Sequence, residues 1–166
     1  MTKPYSVKFE PNIPIVLRDG TTTYADIFRP DVNDKFPGLL HRTPYDKRSA
    51  QSTIGDIDAI HAAMEGYAVV IQDIRGRILS DGEFYTFVNE IDDGYDSVEW
   101  VAAQPWCSGK VGMYGTSYVG ATQWLAAIAK PPSLVAIAPG VTASNYHDGW
   151  VWHCLLYTSP SPRDRG

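Results

Sequence analysis

The sequence predicts an α/β fold in which a mostly parallel β-sheet is covered by helices. Short apolar runs alternate with amphipathic helical segments along residues 36–138, and a β-hairpin precedes them at residues 13–28. Such alternation is typical of parallel sheets, because each crossover between parallel strands needs a helix. The chain has 166 residues, of which 44% are hydrophobic and 20% charged, so it can bury the core of one ordinary globular domain.

The hairpin is predicted from two alternating segments on either side of Asp19-Gly20, which is a strong signal for a two-residue turn. We assign residues 29–35 to a polar loop. Residues 36–42 follow as a short apolar strand, and the loop Thr43-Pro44-Tyr45-Asp46 ends it.

A first helix is predicted over residues 54–64, where apolar residues recur at helical spacing and Gly66 can end the helix. The next strand, at residues 67–72, is rich in β-branched residues, as buried strands are. A glycine-containing loop covers residues 73–85. The apolar positions of the helix are Ile54, Ile57, Ile60 and Met64.

Two further helices and two further strands complete the pattern. The helix predicted around residues 91–101 has acidic residues in its first turn, where the helix dipole favours them. Residues 111–114 are predicted as a short strand and residues 118–129 as a helix that ends before Pro131. Residues 134–138 are predicted as another buried strand.

The segment VGMYGTSYVG at residues 111–120 carries the strongest chemical signal. A strand runs into Gly115-Thr-Ser117 and a helix follows at once, which is the setting of a nucleophile elbow. Such a turn lifts a serine above the sheet and offers the helix N–H groups to an oxyanion. The usual form is G-x-S-x-G, but Val119 stands at its last position and Gly120 follows. A serine that merely caps the helix is the alternative.

Six segments carry a family resemblance. They are LRDG at residues 17–20, RTPYD at 42–46, VIQDIRG at 70–76, SDGEF at 80–84, WCSGKVGMYGTSY at 106–118 and AIAP at 136–139. In order and spacing they resemble the cocaine esterase and X-prolyl dipeptidyl-peptidase group of α/β-hydrolases, over residues 5 to about 153. That group uses the form G-x-S-Y-x-G, so Val119 agrees with its pattern.

The resemblance implies an α/β-hydrolase fold and three catalytic residues. It makes Ser117 the nucleophile, and it makes the backbone N–H of Tyr118 and the hydroxyl of Tyr45 the two oxyanion donors. The position of Tyr45 agrees, because hydrolases of this fold place an oxyanion group in the loop after this strand. A packed loop aromatic is the alternative for Tyr45. Trp150 is a candidate wall of an acyl pocket, although core packing fits it equally.

Other polar residues receive no catalytic role. We interpret Asp73 and Arg75 as loop-fixing residues. His147, Asp148 and His153 follow Ser117 within about 36 residues. The resemblance instead implies an acid and a histidine far downstream, after an inserted cap. Of the remaining histidines, His41 is expected to be packed and His61 to lie on a helix.

Composition and motifs exclude several classes of function. No metal-ligand spacing and no phosphate-binding or dinucleotide-binding motif occurs, so we predict no metal and no cofactor. The net charge of −5 provides no basic surface for nucleic acid, and no apolar run reaches the length of a membrane span. Two distant cysteines form no disulfide framework, which favours a cytoplasmic protein. The expected partner is a small-molecule ester or peptide substrate, and the oligomeric state stays open.

The end of the chain departs from this pattern. Residues 154–164, CLLYTSPSPRD, are similar to a translated sequencing adapter, although a natural proline-rich terminus is the alternative. We therefore expect residues 1–153 to be the N-terminal part of an α/β-hydrolase domain, truncated after the nucleophile helix and the next strand. Residues 154–166 are expected to be a disordered tail. Such a fragment is expected to be inactive and poorly stable, because it lacks a base and leaves a sheet edge open.

Together these features predict a serine hydrolase that cleaves an ester or amide through an acyl-serine intermediate. An esterase is favoured. The alternative is an X-Pro dipeptidyl-peptidase or an amidase that acts on acylated amines. A hydrolase-like domain retained only for binding is a third possibility, but a binding domain has no need of a strained serine turn.

Overall fold

The computed structural model describes residues 4–143, which form a six-stranded mixed sheet with helices on both faces. No helix among these residues is long and apolar enough to cross a bilayer. The elements in chain order are β1 (Val7–Val16), β2 (Thr22–Pro30), β3 (Phe36–Thr43), a π-helical turn (Gln51–Gly55), α1 (Ala59–Met64), β4 (Ala68–Asp73), α2 (Glu90–Ala102), β5 (Cys107–Thr116), α3 (Tyr118–Ala129) and β6 (Leu134–Gly140).

The strands lie in the order β1-β2-β4-β3-β5-β6. β1 pairs antiparallel with β2, and β2 pairs antiparallel with β4. The strands from β4 through β3 and β5 to β6 pair parallel. The predicted α/β class, with an N-terminal hairpin on a mostly parallel sheet, is therefore confirmed.

Every residue of β4 is buried, because helices cover both faces of the sheet at this strand. Ala68 and Val70 face the larger core cluster, which also contains Val98 of α2 and Ala126 of α3. Val69 and neighbouring side chains on the opposite face form a smaller cluster that includes α1. The continuous apolar run in the sequence thus reflects a strand in the centre of the sheet.

The hairpin turn is wider than predicted. The two-residue turn at Asp19-Gly20 is wrong, since Val16 pairs with Thr22 and five residues lie between them. The backbone N–H of Leu17 still donates across the hairpin to the carbonyl of Thr21 at 2.9 Å, and the N–H of Gly20 donates to the carbonyl of Leu17 at 2.9 Å. The turn therefore spans residues 17–20, and the backbone N–H of Arg18 within it donates to Asp96 of α2. The polar loop also begins later than predicted, because β2 continues to residue 30.

The helix predicted over residues 54–64 is divided in two. A π-helical turn ends at Gly55, and α1 begins only at Ala59. Asp58 starts α1 as its N-cap, because its backbone is extended and its Oδ1 accepts the N–H of His61 at 2.9 Å. Ile54 and Ile60 are exposed, so the apolar periodicity does not mark one buried stripe.

The strand predicted at residues 134–138 is present as β6, but it is not buried. Within residues 4–143 it pairs only with β5, and Val135 is 61% exposed. Its apolar composition therefore resembles that of a covered strand, whereas its position in the described sheet is an edge.

Helices α2 and α3 contact each other closely at Gly94. A Cβ atom at this position would lie 2.7 Å from Cβ of Ala126 and 3.1 Å from its Cα. Both neighbours are rigidly attached to a helix backbone. The absence of a side chain at residue 94 therefore sets the separation of the helices on which Glu90 and Tyr118 lie.

We expect Gly94→Ala to lower the thermal stability. A glycine-to-alanine change inside a helix normally stabilises by about 0.5–1 kcal/mol, but here the added methyl must push two helices apart. Thermal unfolding followed by circular dichroism measures the effect. Gly55→Ala is the control, because its methyl would meet only the flexible side chain of Gln51. A melting temperature of Gly94→Ala equal to or higher than that of the wild type would contradict a close contact between α2 and α3 at residue 94.

Candidate active site

Ser117 lies at the junction between β5 and α3 in a conformation that side chains rarely adopt. Its φ is 62° and its ψ is −124°, and its side chain makes no capping hydrogen bond. An ordinary N-cap serine has an extended backbone and accepts a helix N–H, so the capping alternative does not describe this residue. Such strained conformations cost about 1–3 kcal/mol and concentrate at functional sites.

Glycines on both sides make room for this turn. Gly115 has a φ of 132°, and a Cβ there would overlap Cγ1 of Val119. A Cβ at Gly120 would lie 2.6 Å from Cγ2 of Thr142 and 2.9 Å from the carbonyl oxygen of Gly140. Valine can replace the usual glycine at residue 119, because its side chain fills the space that a side chain at residue 115 would otherwise occupy. The turn therefore needs glycine at residues 115 and 120.

Asp56 holds the residue that precedes the serine. Its Oδ1 accepts the hydroxyl of Thr116 at 2.6 Å, and its Oδ2 accepts the backbone N–H of Thr116 at 3.1 Å. On the other side of the turn, the N–H of Ser117 donates to the carbonyl of Gly140 at 2.9 Å. The sequence did not reveal the role of Asp56, because it and Thr116 are 60 residues apart and no local sequence pattern indicates their contact.

Ser117 and Tyr45 line the same cavity, which has a volume of about 190 Å³. Its walls also include His41, Gln51 and Asp56. Tyr45 is 49% exposed, so its ring is not a core side chain. A larger cavity of about 480 Å³ lies beside α1 and contains neither residue; its lining includes Asp58, His61 and Glu65 but no serine or cysteine.

The loop that carries Tyr45 is anchored by the buried side chain of Lys47. Its ammonium group donates to Oδ1 of Asn12 at 2.8 Å and lies 3.3 Å from Oδ1 of Asp26. The backbone N–H of Lys47 donates to Asp73 at 2.7 Å. Burial raises the pKa of Asp73 to about 6. Asp73 therefore fixes this loop, in keeping with the structural role expected from the sequence.

Arg75 has a similar loop-fixing role. Its guanidinium contacts Asp93 of α2 at 2.7 Å and Asp19 of the hairpin turn at 2.6 Å. Tyr118, the third predicted site residue, begins α3 directly after Ser117. Its backbone N–H belongs to the first turn of the helix, where N–H groups have no partner within the helix.

His41 forms part of the cavity wall and is 2% exposed. Burial lowers its pKa to about 4, and the negative charge of Asp56 opposes this shift. Its ring lies against that of Tyr114, with 5.0 Å between the ring centroids. The imidazole is therefore neutral near pH 7, as a packed histidine is expected to be.

We expect Asp56→Asn to lower the pKa of His41 further. The substitution removes the negative charge that favours the imidazolium while leaving the burial of the ring in place. An NMR titration of the His41 ring measures this shift. Asp58→Asn is the control, since Asp58 pairs with exposed His61 instead. An unchanged pKa of His41 in Asp56→Asn would mean that the carboxylate does not face this cavity.

Some predicted residues lie outside the described part of the chain. These are Trp150, the unassigned His147, Asp148 and His153, and the predicted tail at residues 154–166. Within residues 4–143, no three His, Cys, Asp or Glu side chains come together in a group that could hold a metal ion.

Comparison with known proteins identifies the relatives of the chain. The family described as X-Pro dipeptidyl-peptidase (S15 family) matches residues 19–161. The cocaine esterase of Rhodococcus sp. (strain MB1 Bresler) is 42% identical over 145 residues, which cover 84% of this chain and 25% of that protein.

Solved structures show the same relationship. A CocE/NonD family hydrolase from Staphylococcus aureus has a TM-score of 0.71 and 29% identity, over 78% of this chain and 27% of that one. An α-amino acid ester hydrolase has a TM-score of 0.68 and 28% identity, over 81% of this chain and 26% of that one. The chain spans about a quarter of the length of the curated relatives it matches.

Proposed function

The chain belongs to the X-Pro dipeptidyl-peptidase (S15) family and has part of the α/β-hydrolase fold, and on that premise we propose that its protein is a serine hydrolase. The reaction is cleavage of an ester or amide through an acyl-serine intermediate. The observation that carries the proposal is the strained backbone turn at Ser117, together with the cavity that Ser117 and Tyr45 both line. A domain kept only for binding would have no use for that strain.

The proposed chemistry follows from the position of each group. The hydroxyl oxygen of Ser117 attacks the substrate carbonyl, and a negative charge develops on the carbonyl oxygen. The backbone N–H of Tyr118 and the hydroxyl of Tyr45 donate hydrogen bonds to this oxyanion. Collapse of the tetrahedral intermediate expels an alcohol or amine, and water then releases the acyl group. A histidine base, oriented by a carboxylate, takes the proton of the Ser117 hydroxyl and returns it to the leaving group, and the family resemblance implies that both residues lie far downstream.

An ester is the favoured substrate. The names of two similar proteins, cocaine esterase and α-amino acid ester hydrolase, describe ester cleavage, whereas the family description names X-Pro dipeptides. Comparing kcat/KM for a p-nitrophenyl ester and for an X-Pro p-nitroanilide separates the two classes. A cytoplasmic location is also part of the proposal, supported by the buried Cys107, which forms no disulfide within residues 4–143, because reduced thiols are typical of that compartment.

We expect Ser117→Ala to abolish catalysis in the full-length protein that carries these residues. Loss of the nucleophile typically lowers kcat by several orders of magnitude. Labelling by a fluorophosphonate should disappear together with turnover. Ser133→Ala is the control, because this serine binds Glu99 and does not line the cavity. Labelling that persists in Ser117→Ala would place the nucleophile elsewhere.

We expect Tyr45→Phe to lower kcat roughly a hundredfold while KM changes little. The substitution keeps the ring and removes one oxyanion donor, whose loss typically costs about 2.7–4 kcal/mol of transition-state stabilisation. Steady-state kinetics with an activated ester measures both constants. Tyr5→Phe, at an exposed ring outside the cavity, should leave both unchanged. An effect on KM alone would make Tyr45 a residue that only binds the substrate.

A further inference from the structure

A buried ion pair lies behind the proposed oxyanion site. The Nη1 atom of Arg42 on β3 is 2.6 Å from Oε2 of Glu90, the first residue of α2. The side chain of Arg42 is fully buried and that of Glu90 is 5% exposed. Removing two such charges from water costs free energy, and a pair of apolar residues in their place often gives equal stability. The presence of the ion pair therefore indicates a role beyond stability.

Glu90 also holds the residue that follows the nucleophile. Its Oε1 accepts the hydroxyl of Tyr118 at 3.1 Å, and that hydroxyl accepts the backbone N–H of Phe87 at 3.1 Å. The ring of Tyr118 stacks on that of Phe87, with 4.8 Å between centroids. Burial and the charge of Glu90 raise the pKa of Tyr118, so its hydroxyl stays protonated and keeps donating.

Arg42 fixes the other side of the site. It lies near the end of β3, three residues before Tyr45. Its Nε donates to Oε1 of Gln72 at 3.0 Å, and the amide of Gln72 donates to Thr23 at 2.7 Å. Its backbone carbonyl accepts the hydroxyl of Thr122 in α3 at 3.4 Å. The guanidinium is thus tied to β2 and β4 while it binds Glu90.

We propose that Glu90, paired with Arg42, is a positioning residue that sets the two oxyanion donors relative to each other. Arg42 lies on the strand that leads to Tyr45, and its partner Glu90 binds the hydroxyl of Tyr118, whose backbone N–H is the other oxyanion donor. Glu90 does not line the cavity, so it acts through Tyr118 and Arg42 rather than on the substrate. The inference rests on the proposed function, because it concerns the two oxyanion donors that this function requires. Such donors stabilise the transition state only when they are held close to their productive geometry.

The substitution Tyr118→Phe tests this role with the smallest change. It retains the backbone N–H, the ring stacking and the Arg42–Glu90 pair, and it removes only the hydroxyl. We expect kcat of the full-length protein to fall about tenfold with KM unchanged, since a hydrogen bond to a charged group is worth roughly that factor. Binding of a boronic acid, which forms a tetrahedral adduct with serine, should weaken by a similar factor.

Tyr114→Phe is the matched control. The hydroxyl of Tyr114 is buried in the same strand–helix unit but has no hydrogen-bond partner among the described residues. Its removal should leave kcat and boronic acid binding unchanged. Glu90→Gln is a second variant, which keeps the side-chain shape but leaves the charge of Arg42 unpaired. We expect it to lower both the melting temperature and kcat, again with little effect on KM.

Two results would separate the possible failures. If Tyr118→Phe and Glu90→Gln lower only the melting temperature, with kcat and boronic acid binding as in Tyr114→Phe, the role is structural and the inference is overturned. If the wild type has no turnover that depends on Ser117, the proposed function itself fails. Hydrogen–deuterium exchange of peptides covering residues 116–120 then tests the positioning apart from the chemistry. Faster exchange in Tyr118→Phe than in Tyr114→Phe shows that Glu90 holds this segment through the Tyr118 hydroxyl, and equal exchange overturns the inference.

Discussion

Ser117 has a backbone conformation that residues with a side chain rarely adopt, and hydrogen bonds on each side of it hold the turn in place. Thr116 is bound by Asp56, the N–H of Ser117 donates to Gly140, and the hydroxyl of Tyr118 donates to Glu90. These partners come from the segment before α1, from β6 and from α2. Strain of about 1–3 kcal/mol can persist only when its surroundings determine it in this way.

Ion pairs, of which two groups are buried, complete the surroundings of the site. Each of three cationic side chains joins a loop or strand end to another element, and all lie toward the ends of strands where ligands bind in α/β sheets. Because a buried charge without a partner is costly, the fully buried side chains of Arg42 and Lys47 also commit their segments to one arrangement, whereas Arg75 reaches an exposed partner, Asp19. The groups are Arg42 with Glu90, Lys47 with Asp26 and Asp73, and Arg75 with Asp19 and Asp93.

The parts of the fold that depend on local order were predictable. The bounds of α3 match the prediction at Tyr118–Ala129, because a glycine-rich turn precedes the helix and prolines follow it. The helix over residues 54–64 was not predictable, since its apolar spacing is helical but Asp58 caps a new helix within it. The acidic first turn of α2 was attributed to the helix dipole, whereas Glu90 and Asp93 bind arginines from other elements.

The sequence by itself determined the order of strands and helices, the position of Ser117 at a strand–helix junction and the choice of glycine at residues 115 and 120. These depend on periodicity and on backbone freedom, which act over a few residues. Only the tertiary structure decided that Asp56 binds Thr116, that Glu90 joins Arg42 to Tyr118 and that Tyr45 shares a cavity with Ser117. Such contacts join residues far apart in the chain, and the packing of the sheet and helices alone brings them together.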